Sequence, residues 1–189
     1  MILASASPRR QELLEAAGFE LSIEPADIDE TRAPSESPLE LVERLATQKA
    51  HASLANHGSL AKGETLLAAD TIVWTGNDVL GKPRDPDDAR RMLRELSGRT
   101  HHVSTGVCLL VGTDGAEPIE HSFTETSAVT FRELSDAEID EYVRTGEPMD
   151  KAGAYGIQGG AGRFVERLDG DYDNVVGLPV TKILQALAQ

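Results

Sequence analysis

Two carboxylates and a group of cations, carried on separate segments, are the residues of this 189-residue chain best suited to chemistry. Asp70 lies inside the apolar run Leu67-Ala68-Ala69-Asp70-Thr71-Ile72-Val73. An ionised carboxylate in such a strand must be paired, metal-bound or protonated. Gly81-Lys82-Pro83 follows a short hairpin that brings Lys82 back beside the strand, to pair with Asp70 or to contact a phosphate. Glu30, with Asp27 and Asp29 nearby, sits in a polar loop. Carboxylates from two segments, with several lysines and arginines, suit metal-assisted phosphoryl chemistry, because Mg²⁺ takes oxygen ligands together with substrate phosphates. A structural ion pair at Asp70 and a solvated loop at Glu30 are the plainer alternatives.

A second signal is Ser5-Ala6-Ser7-Pro8-Arg9-Arg10. Ser7 reads as a helix N-cap and Pro8 as the first helical residue, so Arg9 and Arg10 fall in the first turn, where the helix dipole is positive. Each cation there costs about 0.3–1 kcal/mol unless an anion relieves it. A phosphate held by free N–H groups, serine hydroxyls and guanidinium forks would do so. The alternative is that both arginines point into solvent.

The elements that must position these groups alternate strand and helix, then give two long strands, a Gly-rich stretch and a closing helix. Residues 2–5 read as a strand, 8–17 as a helix ended by Gly18, and 19–24 as a second strand. Ser37-Pro38 opens a helix whose apolar positions Leu41, Val42, Leu45 and Ala46 share one face, with Lys49 close to it. Residues 65–74 form a buried central strand and Thr75-Gly76-Asn77-Asp78 a hairpin turn. Asp85-Pro86 starts a helix running to Ser97-Gly98. Residues 101–111 and 119–131 are long strands, and Ser135 with Glu138 forms a capping box for a helix over 136–144. Pro179 starts the last helix. The pattern is α/β with a mixed sheet.

The length suits one domain over residues 1–189, without a linker or repeat. The net charge of −14 argues against nonspecific nucleic-acid or anionic-lipid binding. With no membrane-length apolar run and no signal-peptide pattern, a cytoplasmic location is expected. Cys108, the single cysteine, is expected in the core. His101 and His102 point to opposite strand faces, so they do not chelate one metal together. No P-loop and no Gly-x-Ser-x-Gly elbow occurs.

Several stretches in order resemble the Maf family of nucleoside triphosphate pyrophosphatases: Leu3-Ala4-Ser5-Ala6-Ser7-Pro8-Arg9-Arg10-Gln11-Glu12-Leu13-Leu14, Ala69-Asp70-Thr71, Gly81-Lys82-Pro83, Leu96-Ser97-Gly98-Arg99-Thr100-His101, Asp150 to Gly159, and Val176-Gly177-Leu178-Pro179. The resemblance implies a fold related to the inosine triphosphate pyrophosphatases, two lobes around a nucleotide cleft, and a homodimer. Arg9, Thr71 and Gln158 resemble the branch acting on dTTP and UTP. The Gln158 amide offers one acceptor and one donor, matching N3–H and a carbonyl of thymine or uracil. The resemblance further implies that Glu30 and Asp70 hold a divalent cation (Mg²⁺ or Mn²⁺) and that Asp70 activates water against the α-phosphorus. Lys82 belongs to that catalytic set, while Ser5, Ser7, Arg9, Arg10 and Lys49 hold the triphosphate. Modified pyrimidine nucleotides, nucleotide-pool sanitation and arrest of cell division fall within what the family implies. A nucleotide-binding regulator of septum formation without turnover is the competing class. Asp171-Tyr172-Asp173-Asn174 departs mildly from the commoner family form.

Overall fold

The computed structural model describes residues 1–115 and 117–188. A seven-stranded mixed sheet has the order β2-β1-β3-β5-β6-β7, with β4 paired to β3. These strands are β1 (Ile2–Leu3), β2 (Ser22–Ile23), β3 (Thr65–Thr75), β4 (Asp78–Leu80), β5 (Thr100–Val111), β6 (Ile119–Phe131) and β7 (Val165–Asp169). The main helices are α1 (Pro8–Ala16), α2 (Pro38–His57), α3 (Pro86–Leu96), α4 (Asp136–Arg144), α5 (Tyr172–Val176) and α6 (Val180–Leu187). β1 runs parallel to both β2 and β3, whereas β3 with β4 and β6 with β7 are antiparallel.

The helix starts follow from their caps. Ser37 and Ser135 each make a capping box with the glutamate three residues on, and Asp85 accepts from the Asp88 N–H. Gly76, at φ +60°, takes the first central position of the two-residue β3–β4 turn, as a type II′ hairpin requires. The expected strand over 19–24 shrinks to Ser22–Ile23, and the strand over 2–5 to Ile2–Leu3, because the chain leaves the sheet at Ser5 to enter α1. β7 and α5 were not anticipated. They follow a Gly-rich stretch whose composition gives no period to read.

Two compact units divide the chain. The first comprises Met1–Asp70, Thr105–Glu125 and Gly177–Gln189, and the second Thr71–Ser104 and Thr126–Val176. In the first, strand alternation separates two apolar layers. Leu3, Leu67, Ala69, Val107 and Leu109 pack with Leu14, Leu178 and Ile183. Ile2, Ala4, Leu66, Ala68, Cys108 and Leu110 pack with Ala46 and Ala50 of α2. The second layer is tight at Gly106, where a Cβ would overlap the Val42 carbonyl of α2. Burial pushes the Cys108 thiol up to about 11, which makes it a packing residue rather than a nucleophile.

The second unit has an aromatic core in which Phe131 meets His101, Tyr155 and Phe164 edge to face. The fully buried His101 Nε2 pairs with the Tyr155 hydroxyl at 2.8 Å, while His102 stacks on Trp74. The two histidines are thus strand residues facing different surroundings. Burial, helped by His102, lowers the His101 pKa to about 4. Below the ordinary histidine pKa of about 6.5 the unfolded chain binds a proton that the native state refuses, so stability falls as pH drops from 6.5 towards 4. His101→Gln should reduce the loss of stability between pH 7 and pH 4.5 by about 2 kcal/mol, read from urea midpoints at the two pH values.

Candidate active site

Asp70 has the same strand parity as Leu66 and Ala68, so its side chain lies on the α2 side of β3. Lys49 follows Ala46 by three residues on α2 and continues the same face. Its Nζ donates to Asp70 Oδ1 at 2.6 Å and lies 2.6 Å from Glu30 Oε1. Side-chain exposure is 13% for Lys49, 13% for Asp70 and 58% for Glu30. One ammonium therefore ties a sheltered carboxylate to a wetter one, leaving the trio with a net negative charge.

The ammonium on Asp70 is that of Lys49. Lys82, expected either to pair with Asp70 or to contact a phosphate, lies in the exposed segment beyond β4. Lys82 makes no ion pair among the described residues.

Arg10 is anchored on the same strand. Its Nη1 donates to the Ala69 carbonyl at 2.7 Å and to Ser5 Oγ at 3.1 Å, and its Nε donates to the Gly177 carbonyl at 2.9 Å. The Ala4 N–H bonds the Leu67 carbonyl at 2.8 Å, and then the chain turns away. Ala69, two residues on along the same edge, would face an empty ladder position, and the guanidinium fills it. Burial lowers the Arg10 pKa while Asp70 works to raise it, and the group stays charged. Arg10, expected among the phosphate ligands, uses these bonds to tie the β1–α1 turn to β3 and to the segment before α6.

Arg9 and Arg10 do occupy the first turn of α1, which contains no acid. Ser7 is the N-cap by position, but its side chain makes no capping bond, and its N–H donates to Ser5 Oγ at 3.2 Å. The expected hydroxyl cap is therefore absent. Ser5 instead becomes the hub of the turn, accepting from both Ser7 and Arg10.

The carboxylate pair fits a hard divalent cation. Glu30 and Asp70 already converge on one cation, Lys49, and present oxygen donors of the type that Mg²⁺ and Mn²⁺ take. Among the described residues no cluster of three or more His, Cys, Asp or Glu could hold a metal. Two carboxylates without a full protein cage suit an ion that shares substrate phosphate oxygens. Thr71, half-buried, follows Asp70 on β3 in the second unit. Gln158 is exposed, in the turn after Tyr155 of the same unit.

Comparison with known proteins gives these residues a context. The family described as Maf-like protein matches residues 1–189. The chain belongs to the Maf-like family. A protein named dTTP/UTP pyrophosphatase from Anaeromyxobacter dehalogenans (strain 2CP-C) is 51% identical over 182 residues, which cover 96% of this chain and 89% of that protein. Another of the same name from Hahella chejuensis (strain KCTC 2396) is 50% identical over 189 residues, covering 100% and 91%. Among solved structures, the Staphylococcus aureus Ham1 protein aligns with a TM-score of 0.46 at 14% identity, over 69% of this chain and 70% of that one. In this Maf-like chain, the Asp70–Lys49 pair was legible in principle, since Lys49 extends the apolar face of α2. The two carbonyls that hold Arg10 were not.

Proposed function

We propose that this chain is a nucleoside triphosphate pyrophosphatase that cleaves dTTP and UTP, along with modified pyrimidine nucleotides, to the monophosphate and pyrophosphate. The observation that carries this reading is the sheltered Asp70 carboxylate held at 2.6 Å by Lys49, with Glu30 on the same ammonium. The names of the relatives, at about half identity over nearly the full length, supply the substrate class. Asp70 takes a proton from a water as that water attacks the α-phosphorus. The α–β bond then breaks, and pyrophosphate leaves with the bond electrons. Lys49, Lys82, Ser5, Ser7 and Arg9 hold the triphosphate and offset charge on the leaving group. Arg10 braces Asp70 from behind through the Ala69 carbonyl. Glu30 and Asp70 would hold Mg²⁺ or Mn²⁺, which supplies Lewis-acid stabilisation of the phosphate oxygens. Gln158 and Thr71 select the pyrimidine.

The reading extends to a homodimer in the cytoplasm serving nucleotide-pool sanitation, with a nucleotide as its ligand rather than nucleic acid or membrane. Among the described residues no helix is long and apolar enough to cross a membrane. A panel of canonical and modified triphosphates with Mg²⁺ or Mn²⁺, scored separately for pyrophosphate and orthophosphate, tests the assignment. Pyrophosphate from dTTP and UTP is the expected result. Nucleotide binding without turnover would favour the septum regulator, and orthophosphate alone would move the attack off the α-phosphorus.

A further inference from the structure

The turn that carries Gln158 includes glycines at 156, 159 and 160 and is inherently loose, so something must hold it if Gln158 is to read a base. The structure supplies a clamp from α4 and the short turn after it. The Gly156 N–H donates to the Tyr142 hydroxyl at 3.2 Å, and that hydroxyl donates to Glu147 Oε1 at 3.0 Å. On the far side of Gln158, the Gly160 N–H donates to Glu147 Oε2 at 3.0 Å. The turn wraps the carboxylate so closely that a Cβ at position 159 would overlap Glu147 Oε1. Glu147 is itself tied down, because Lys151 Nζ donates to its carbonyl at 2.8 Å. The Tyr142 ring is buried edge-on against Phe164, with centroids 5.3 Å apart.

We infer that Glu147 and Tyr142 are positioning residues for base selection, acting through the backbone on either side of Gln158. The inference rests on the reading of Gln158 as the group that faces the pyrimidine. Uracil offers a donor at N3 and an acceptor at O4, whereas cytosine offers the reverse. The amide meets those groups only where the backbone holds the residue at the base edge, and the Tyr142–Glu147 clamp on either side of Gln158 supplies that hold. Neither residue touches the triphosphate in this scheme.

The test is a double-mutant cycle read as the ratio of kcat/KM for UTP over CTP. Glu147→Gln keeps the shape but removes the charge and one of the two acceptors, which weakens the hold on the Gly160 N–H and the Tyr142 hydroxyl. Tyr142→Phe keeps the buried ring and removes the other arm, and serves alone if Glu147→Gln does not fold. Each should lower the UTP-over-CTP ratio about tenfold, the worth of one well-placed hydrogen bond. Neither should lower it further in a Gln158→Ala background, since both act through that residue. A wild-type ratio in both variants, or losses that multiply with Gln158→Ala, would overturn the inference while leaving Gln158 as the base reader. An unchanged ratio in Gln158→Ala alone would show that the reading of Gln158 has failed, and the clamp's role with it.

Discussion

Asp70→Asn is expected to lower the rate of pyrophosphate release by about 10²–10⁴-fold, the usual contribution of a general base, with the fold intact. Asparagine matches aspartate in shape but cannot take a proton from water. The loss should appear in kcat more than in KM, because the residues proposed to hold the triphosphate, Ser5, Ser7, Arg9, Lys49 and Lys82, are untouched and an amide oxygen can still meet a divalent cation. The side chain sits on the α2 side of β3, in contact with the Lys49 ammonium. The substitution leaves that ammonium paired with Glu30, so no buried cation is stranded. Measured stability close to the parent, together with a collapsed kcat, separates loss of chemistry from loss of structure. A kcat within threefold of the parent would remove Asp70 from the mechanism.

Arg10→Ala is expected to destabilise the protein by about 3 kcal/mol, because the Ala69 and Gly177 carbonyls lose their donor at once and an orphaned acceptor costs about 1–3 kcal/mol. For a chain of this size that shifts Tm by about 6–12 °C. Turnover should fall as well, since Ala69 directly precedes Asp70 on β3 and the guanidinium fixes that end of the strand. Arg10→Lys restores only part of the stability, because one ammonium cannot reproduce a planar fork that spans three acceptors. Thermal and urea unfolding of the two variants test this. Stability within about 0.5 kcal/mol of the parent in Arg10→Ala, paired with weakened nucleotide binding, would instead return Arg10 to the phosphates.

The contrast between the two arginines shows what the sequence could and could not say. Placing Arg9 and Arg10 in the first turn of a helix follows from Ser7-Pro8, and the structure agrees. Where each guanidinium goes depends on which backbone acceptors lack partners. The gap at Ala69 exists only because β1 stops at Leu3, a boundary that the apolar run Met1-Ile2-Leu3-Ala4 does not mark. Asp70 was similarly legible as an anomaly, and Lys49, on the apolar face of α2, was the partner that the helix pattern could have named. A hairpin after β3 made Lys82 the nearer cation in sequence, but strand parity and the α2 face decided for Lys49. Helices that open on Ser-Pro, Asp-Pro or a capping box were readable to within a residue, because their start signals are local. β7 and α5, and the Tyr142–Glu147 clamp beside Gln158, were not. Glycines at 156, 159 and 160 announce a close approach without naming what approaches.

The most direct test of the central claim is hydrolysis of UTP in ¹⁸O-labelled water by the wild-type protein with Mg²⁺, followed by mass spectrometry of both products. Attack of water at the α-phosphorus predicts one ¹⁸O in the uridine monophosphate and none in the pyrophosphate. Label in the pyrophosphate, with unlabelled monophosphate, would place the attack on the β-phosphorus and contradict the account.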